Sequence, residues 1–145
     1  MMSYNPVSIA KNSFAFCRYG VAILVWLSFI FHSIIILEIT AFIFLLSAIL
    51  KVQKAPFIVL GNLTLHKMMK SSEILVNENA IFFAHCVGFL FSGICILIVY
   101  TVHSPGAWFA VLAFATLKSI SALGFCPASK LYDCALNGNC CVRKK

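Results

Sequence analysis

The chain has 145 residues, of which 62% are hydrophobic and only 10% charged, with a formal net charge of +7. An ordinary soluble domain is about 45–50% apolar and about 25% charged, and a chain this short cannot hide so much apolar surface in one water-facing core. The sequence also offers no Ser-His-Asp arrangement, no glycine-rich phosphate loop and no paired carboxylates, since Glu38, Glu73, Glu78 and Asp133 are its only acids; hydrolase, kinase and nucleic-acid functions therefore lack residues to stand on.

A bilayer core about 30 Å thick needs roughly 20 mostly apolar residues per helix. Four segments approach that length. The first runs from about Phe14 to Phe31 and holds Arg18 near its start; the second runs from about Ile34 to Leu50 and holds Glu38. The third, from Ile81 to about Val102, is the cleanest, and the fourth runs from Ala107 to about Gly124. Backbone polar groups must be satisfied within hydrocarbon, so runs of this length are expected to be helices; no ten-residue block alternates as a barrel strand would. The expected fold class is all-α, a polytopic membrane protein whose four transmembrane helices form two hairpins in a single domain spanning residues 1–145. No small-x-small cleavage site follows "LSFIFHS", so the first helix is expected to stay in place rather than leave as a signal peptide.

The two hairpin turns, His32-Ser33 and "VHSPG" from Val102 to Gly106, carry no Lys or Arg. Lys11 and Arg18 lie at the start of the first helix, four lysines lie in the central loop, and Lys130, Arg143, Lys144 and Lys145 lie in the tail. The positive-inside bias then puts both termini and the central loop in the cytoplasm. Lys118, in the last third of the fourth helix, is expected to snorkel toward that same side. The positive charge suits a bilayer with anionic headgroups better than nucleic acid. Both hairpins turn at a His-Ser pair and carry a cysteine early in their first helix, Cys17 and Cys86, a faint sign of a parallel repeat.

Within the central loop, Ile58, Leu65, Met69 and Val76 fall roughly on one helical face, as in an interfacial helix; a loop covering the bundle is the alternative. Asn62-Leu63-Thr64 matches a glycosylation acceptor, but the expected cytoplasmic address removes it. Gly88 with Ser92, and Ala115 with Ser119, are small residues four apart, a spacing that lets helix backbones approach closely.

The tail, residues 125–145, holds Cys126, Cys134, Cys140 and Cys141, four of the seven cysteines. In the cytoplasm thiols are kept reduced, so a structural disulfide framework is not expected. Structural zinc sites present ligand pairs two to four residues apart, whereas here the gaps are seven, five and no residues; no metal and no cofactor is expected. Gly124 suits a helix C′ position and Pro127 the first turn of a new helix. Cys126 would then be an N-cap, where the helix N-terminus favours thiolate. Lys130, four residues on, would add to the effect, while apolar burial would oppose it. His85, beside Cys86, is an ionisable residue in the membrane zone and so a functional candidate; an interhelical hydrogen bond is its structural alternative. Cys17, Cys86 and Cys95 are expected to pack as small hydrophobes.

"GFCPASKLY", placed after a fourth apolar helix, resembles the ending G-F-C-x-G-C-x-x-Y of a bacterial membrane family, domain of unknown function 4395. "FFAHCVG" from Phe82 to Gly88 looks like that family's opening of its third helix, and "KAPF" from Lys54 to Phe57 like its Pro-containing central loop. The resemblance carries over to Gly124, Phe125, Cys126 and Tyr132; the family's second motif cysteine falls on Ser129, so the Cys-x-x-Cys pair becomes Cys-Pro-Ala-Ser. The ending is also similar to small inner-membrane proteins with Gly-Phe-Cys-Pro, some fused to rhodanese sulfurtransferase domains. A bacterial inner-membrane location follows from the resemblance.

Two functional classes stand. In the first, the protein handles thiol redox or sulfur at the cytoplasmic face, with Cys126 attacking, Cys134, Cys140 or Cys141 resolving, and Lys130 and His85 supporting; a cytoplasmic thiol or sulfurtransferase partner is then expected. In the second, it is a non-enzymatic scaffold or a component of small-solute transport. Substrate and oligomeric state have no signal in the sequence.

Overall fold

A computed structural model describes residues 5–50, 54–65, 73–102 and 104–137, apart from the side chains of residues 62, 65, 133, 136 and 137. Cys140, Cys141, His103 and Met69, on which part of the sequence reading fell, lie outside the described residues.

Strand β1, Pro6–Ala10, runs without a loop into helix α1, Lys11–Ile30. A left-handed residue, His32 at φ 47°, then reverses the chain into α2, Ile34–Ile49. Helix α3, Pro56–Leu65, begins on a proline, which lacks the N–H that a helix start leaves unpaired. Strand β2, Glu73–Asn77, feeds straight into α4, Glu78–Val102. A 3-10 turn at Pro105–Ala107 leads into α5, Trp108–Ala122, and α6 follows at Pro127–Asn137.

The strands correct the all-α expectation. β1 and β2 pair antiparallel, with Pro6 opposite Asn77 and Ala10 opposite Glu73. Each strand is short and bounded by a helix, so neither shows the long alternation by which strands are read from sequence. The pairing ties the starts of α1 and α4 together, and Asn77 completes the joint: its Oδ1 accepts the Asn79 N–H at 3.2 Å, capping α4.

Among the described residues three segments are long and apolar enough to cross a membrane: Lys11–Ile30, Glu78–Val102 and Pro105–Ala122. Helix α2 is apolar but has 16 residues, about 24 Å at 1.5 Å per residue. Its boundaries nearly match the expected span, and the shortfall lies in its length. Helix α4 begins three residues earlier than expected, because Asn77 caps it ahead of the apolar run.

The tightest packing lies between hairpins, α2 against α4 and α1 against α5, more than within them. Val25, Leu37, Val111 and Ala115 are fully buried in this core. The small-residue pairs do form contacts: Ser119 Oγ accepts the Trp26 indole N–H at 2.8 Å, joining α5 to α1, and Gly88 faces Phe44 of α2. A second cluster, Ile9, Cys17, Ala55, Ile58 and Ile81, seats α3 on α1. Gly61 of α3 meets the Ser13 backbone, where an added β-carbon would lie 3.0 Å from Cα. In the central loop Ile58 is buried, Val59, Leu60 and Leu63 are exposed, and Val76 belongs to β2. The loop therefore contains a helix that also covers the bundle.

Candidate functional site

Helix α5 ends as its sequence demands. Gly124 takes φ +108°, its N–H bonds Ser121 O at 3.1 Å and the Phe125 N–H bonds Ile120 O at 3.3 Å; this is a Schellman motif, in which glycine avoids the cost of a left-handed backbone. The chain turns at once into α6, whose first backbone bond runs from the Lys130 N–H to Cys126 O at 3.2 Å. Cys126 thus occupies the N-cap position. Tyr132, one α-helical turn and a half further on, is buried, and its ring lies 5.8 Å from that of Phe83 in α4. The matched motif residues therefore lock α6 onto the start of α4.

Half-buried Cys126 lines a cavity of about 170 Å³ together with Cys17, Arg18, His85, Lys118 and Ser121. The residues come from α1, α4, α5 and the α5–α6 turn. A second, more apolar cavity of about 300 Å³ lies between α4, α5 and α6, and Lys118, Ser121 and Cys126 line both. Burial pushes the Cys126 thiol up, but the Ser121 hydroxyl, the Ser129 backbone and hydroxyl, and the Lys118 ammonium together outweigh it, and the pKa falls below the ordinary thiol value. Ser129 is the third residue of α6, where an N-cap acceptor meets a free N–H. The residue that replaces the second motif cysteine is thus a hydrogen-bond partner of the first.

Lys118 departs from the snorkelling expectation. Its ammonium turns inward, 4.2 Å from the Phe44 ring centroid and 5.4 Å from that of Phe114. Cation–π contacts with buried rings are worth about 2 kcal/mol, and Gly88 leaves the space. Lys130, which the sequence placed beside Cys126, instead lies exposed with its ammonium 4.5 Å over Phe125. The cation acting on Cys126 is Lys118, eight residues before it. His85 does reach the cavity, with its ring 6.0 Å from Phe44.

The other cysteines separate. Cys17, expected to pack as a small hydrophobe, is 5% exposed yet lines the same cavity as Cys126. Cys86 and Cys95 are free thiols that do not line it. Cys134 is disulfide-bonded, whereas the sequence reading expected reduced thiols in the tail. It also follows Cys126 by eight residues along α6, about 12 Å at 1.5 Å per residue, beyond the ~7 Å that a disulfide bridges. Cys134 therefore cannot resolve Cys126 while α6 is intact. Among the described residues no group of three or more His, Cys, Asp or Glu is placed to hold a metal ion.

Reasoning from sequence missed Arg18, Ser121 and Ser129 as lining residues, and did not place the Lys118 ammonium inside the bundle. The available signal was a lysine inside an apolar helix, an expensive placement that marks function. Arg18 Nη2 donates to the Ala122 carbonyl at the end of α5, a long-range contact with no local trace. No curated protein and no solved structure matches the chain. A family model described as Domain of unknown function (DUF4395) matches residues 11–136, and the chain belongs to that family.

Proposed function

We propose that this is a four-span protein of the bacterial inner membrane, with both termini cytoplasmic, that handles sulfur through Cys126 at the cytoplasmic face. The observation that carries the reading is the setting of Cys126: a half-buried N-cap thiol at a cavity, its pKa lowered by Ser121, Ser129 and Lys118. A partly ionised thiol at a helix N-terminus is the nucleophile that thiol–disulfide and persulfide exchange requires.

Single-thiol transfer suits this site better than dithiol redox, since Ser129 stands at the second motif position and Cys134 is out of reach. The Cys126 thiolate attacks the outer sulfur of a persulfide on a cytoplasmic thiol or sulfurtransferase partner. A new sulfur–sulfur bond forms at Cys126, the partner's sulfur–sulfur bond breaks, and the partner leaves as thiolate, with no net change in oxidation.

Support for the membrane setting comes from exposed apolar residues on every long helix, among them Ile23 on α1, Ile35 and Phe42 on α2, Leu97 on α4 and Phe109 on α5. Helix α2 carries this apolar face as fully as the three longer segments. Basic residues at the cytoplasmic side would meet anionic headgroups.

Mass spectrometry of the native protein tests the reading. A +32 Da sulfur adduct on the Cys126 peptide, absent when Cys126→Ser is substituted, is the expected result, the mass being that of one sulfur atom (about 32 Da) transferred to the thiolate. Full rescue of a deletion phenotype by Cys126→Ser would overturn it.

A further inference from the structure

We infer that the cavity between α1, α4 and α5 is a binding site for a small oxyanion, held by Arg18 and Lys118. The inference goes beyond the sulfur-handling reading and stands on the cations rather than on thiol chemistry.

Among the described residues two cationic side chains line this cavity and no carboxylate does. The three acidic side chains described are engaged elsewhere: Glu38 accepts from Tyr100, Glu73 from Ser8 and Glu78 from Asn5. A buried charge without a counter-charge is strongly unfavourable. The Phe44 and Phe114 rings compensate Lys118 in part, and a Cys126 thiolate neutralises one of the two cations at most. Arg18 gives Nη2 to the Ala122 carbonyl, yet its Nε is buried with no hydrogen-bond partner among the described residues. Among the described residues the site lacks one negative charge and one acceptor.

The remaining polar groups are suited to supply the rest of an anion's shell. The Ser121 and Ser129 hydroxyls, which also hold Cys126, line the cavity, and the start of α6, an eleven-residue helix, brings the positive end of its dipole. A guanidinium recognises the planar edge of an oxyanion through parallel N–H bonds. The volume of about 170 Å³ far exceeds the ~10–15 Å³ that holds one water, so a tetrahedral ion fits with solvent to spare. A free oxyanion and a phospholipid headgroup share this chemistry.

Thermal unfolding of the full chain in neutral detergent, titrated with sulfate and with thiosulfate at constant ionic strength set by chloride, tests the site. A saturable rise in midpoint is expected, kept in Cys126→Ser and lost in Lys118→Met, or in Arg18→Gln should the first fail to fold. Nanodiscs of phosphatidylglycerol against phosphatidylcholine form the second arm: a rise with the anionic lipid alone, lost in the same variants, assigns the site to a headgroup. No saturable rise from either source, or an equal rise in the variants, overturns the inference. Because Cys126→Ser keeps the site, loss of sulfur handling and loss of anion binding read separately. The wild-type chain gives an independent measure: at Cys126, iodoacetate should gain on neutral iodoacetamide several-fold relative to glutathione, and an unchanged ratio counts against the cationic cavity.

Discussion

The Lys118 ammonium lies 2.9 Å from where a β-carbon would stand at Gly88, and the Phe44 ring lies 2.7 Å from the same point. The missing side chain on α4 is what lets a lysine of α5 turn inward against a ring of α2. Gly88→Ala should therefore force the ring or the ammonium aside, at a cost of about 1–3 kcal/mol for overpacking. Thermal unfolding in detergent reads this as a lowered midpoint. The variant should also weaken the hold of Lys118 on Cys126; an unchanged midpoint together with unchanged Cys126 reactivity would show that Gly88 has no such role.

Cys126 titrates below an ordinary thiol because the Ser121, Ser129 and Lys118 contributions outweigh its burial. Its alkylation rate should rise with pH about a midpoint under that of an ordinary thiol. Lys118→Met and Ser129→Ala should each move the midpoint upward and slow alkylation at neutral pH. The sign for stability follows from the same shift. Folding favours the thiolate, so the stabilisation is present above the unfolded pKa and is lost as pH falls through the folded pKa. Cys126→Ser should thus cost more stability relative to wild type at alkaline pH than at pH 6.

The helices were legible because long apolar runs leave a backbone that must satisfy its own polar groups, and hydropathy reads such runs directly. Gly124 and Pro127 marked the end of α5 and the start of α6 through local backbone preference, which needs no tertiary information. The sheet was not legible, since Val7 and Val76 pair across 69 positions and five-residue strands carry little periodic signal. The inward seat of Lys118 was hidden for a related reason: whether a lysine stem reaches headgroups or the bundle interior depends on a glycine thirty residues earlier on another helix. Lys130 was misassigned because helical spacing says which backbone is near and not that Phe125 offers the closer partner.

The strand pairing gives a third test. Ser8 and Leu75 are opposed in the register and both are exposed. Opposed residues of an antiparallel pair have Cα atoms about 4.5–5.5 Å apart, within the 4.4–6.8 Å range of disulfides. Ser8→Cys with Leu75→Cys should cross-link under mild oxidation, joining two peptides of the digest in non-reducing mass spectrometry. Ser8→Cys with Glu73→Cys, displaced along the ladder, should cross-link far less. Equal yields would mean the register is wrong.

The span count turns on α2, sixteen residues long and apolar on its exposed side. If α2 crosses, Leu63 on α3 and Lys130 on α6 share one side of the membrane and Ser33 takes the other. If it does not, the central loop stays with Ser33, and α4 and α5 carry the tail back to that side as well. A membrane-impermeant maleimide applied to intact cells separates the cases, with the labelled site located by peptide mass. Ser33→Cys should be modified, while Leu63→Cys and Lys130→Cys should react only after permeabilisation. Labelling of Leu63→Cys alongside Ser33→Cys would reduce the spans to three. Labelling of Lys130→Cys from outside would place the Cys126 cavity away from the reducing compartment, and a cytoplasmic persulfide donor could no longer reach it.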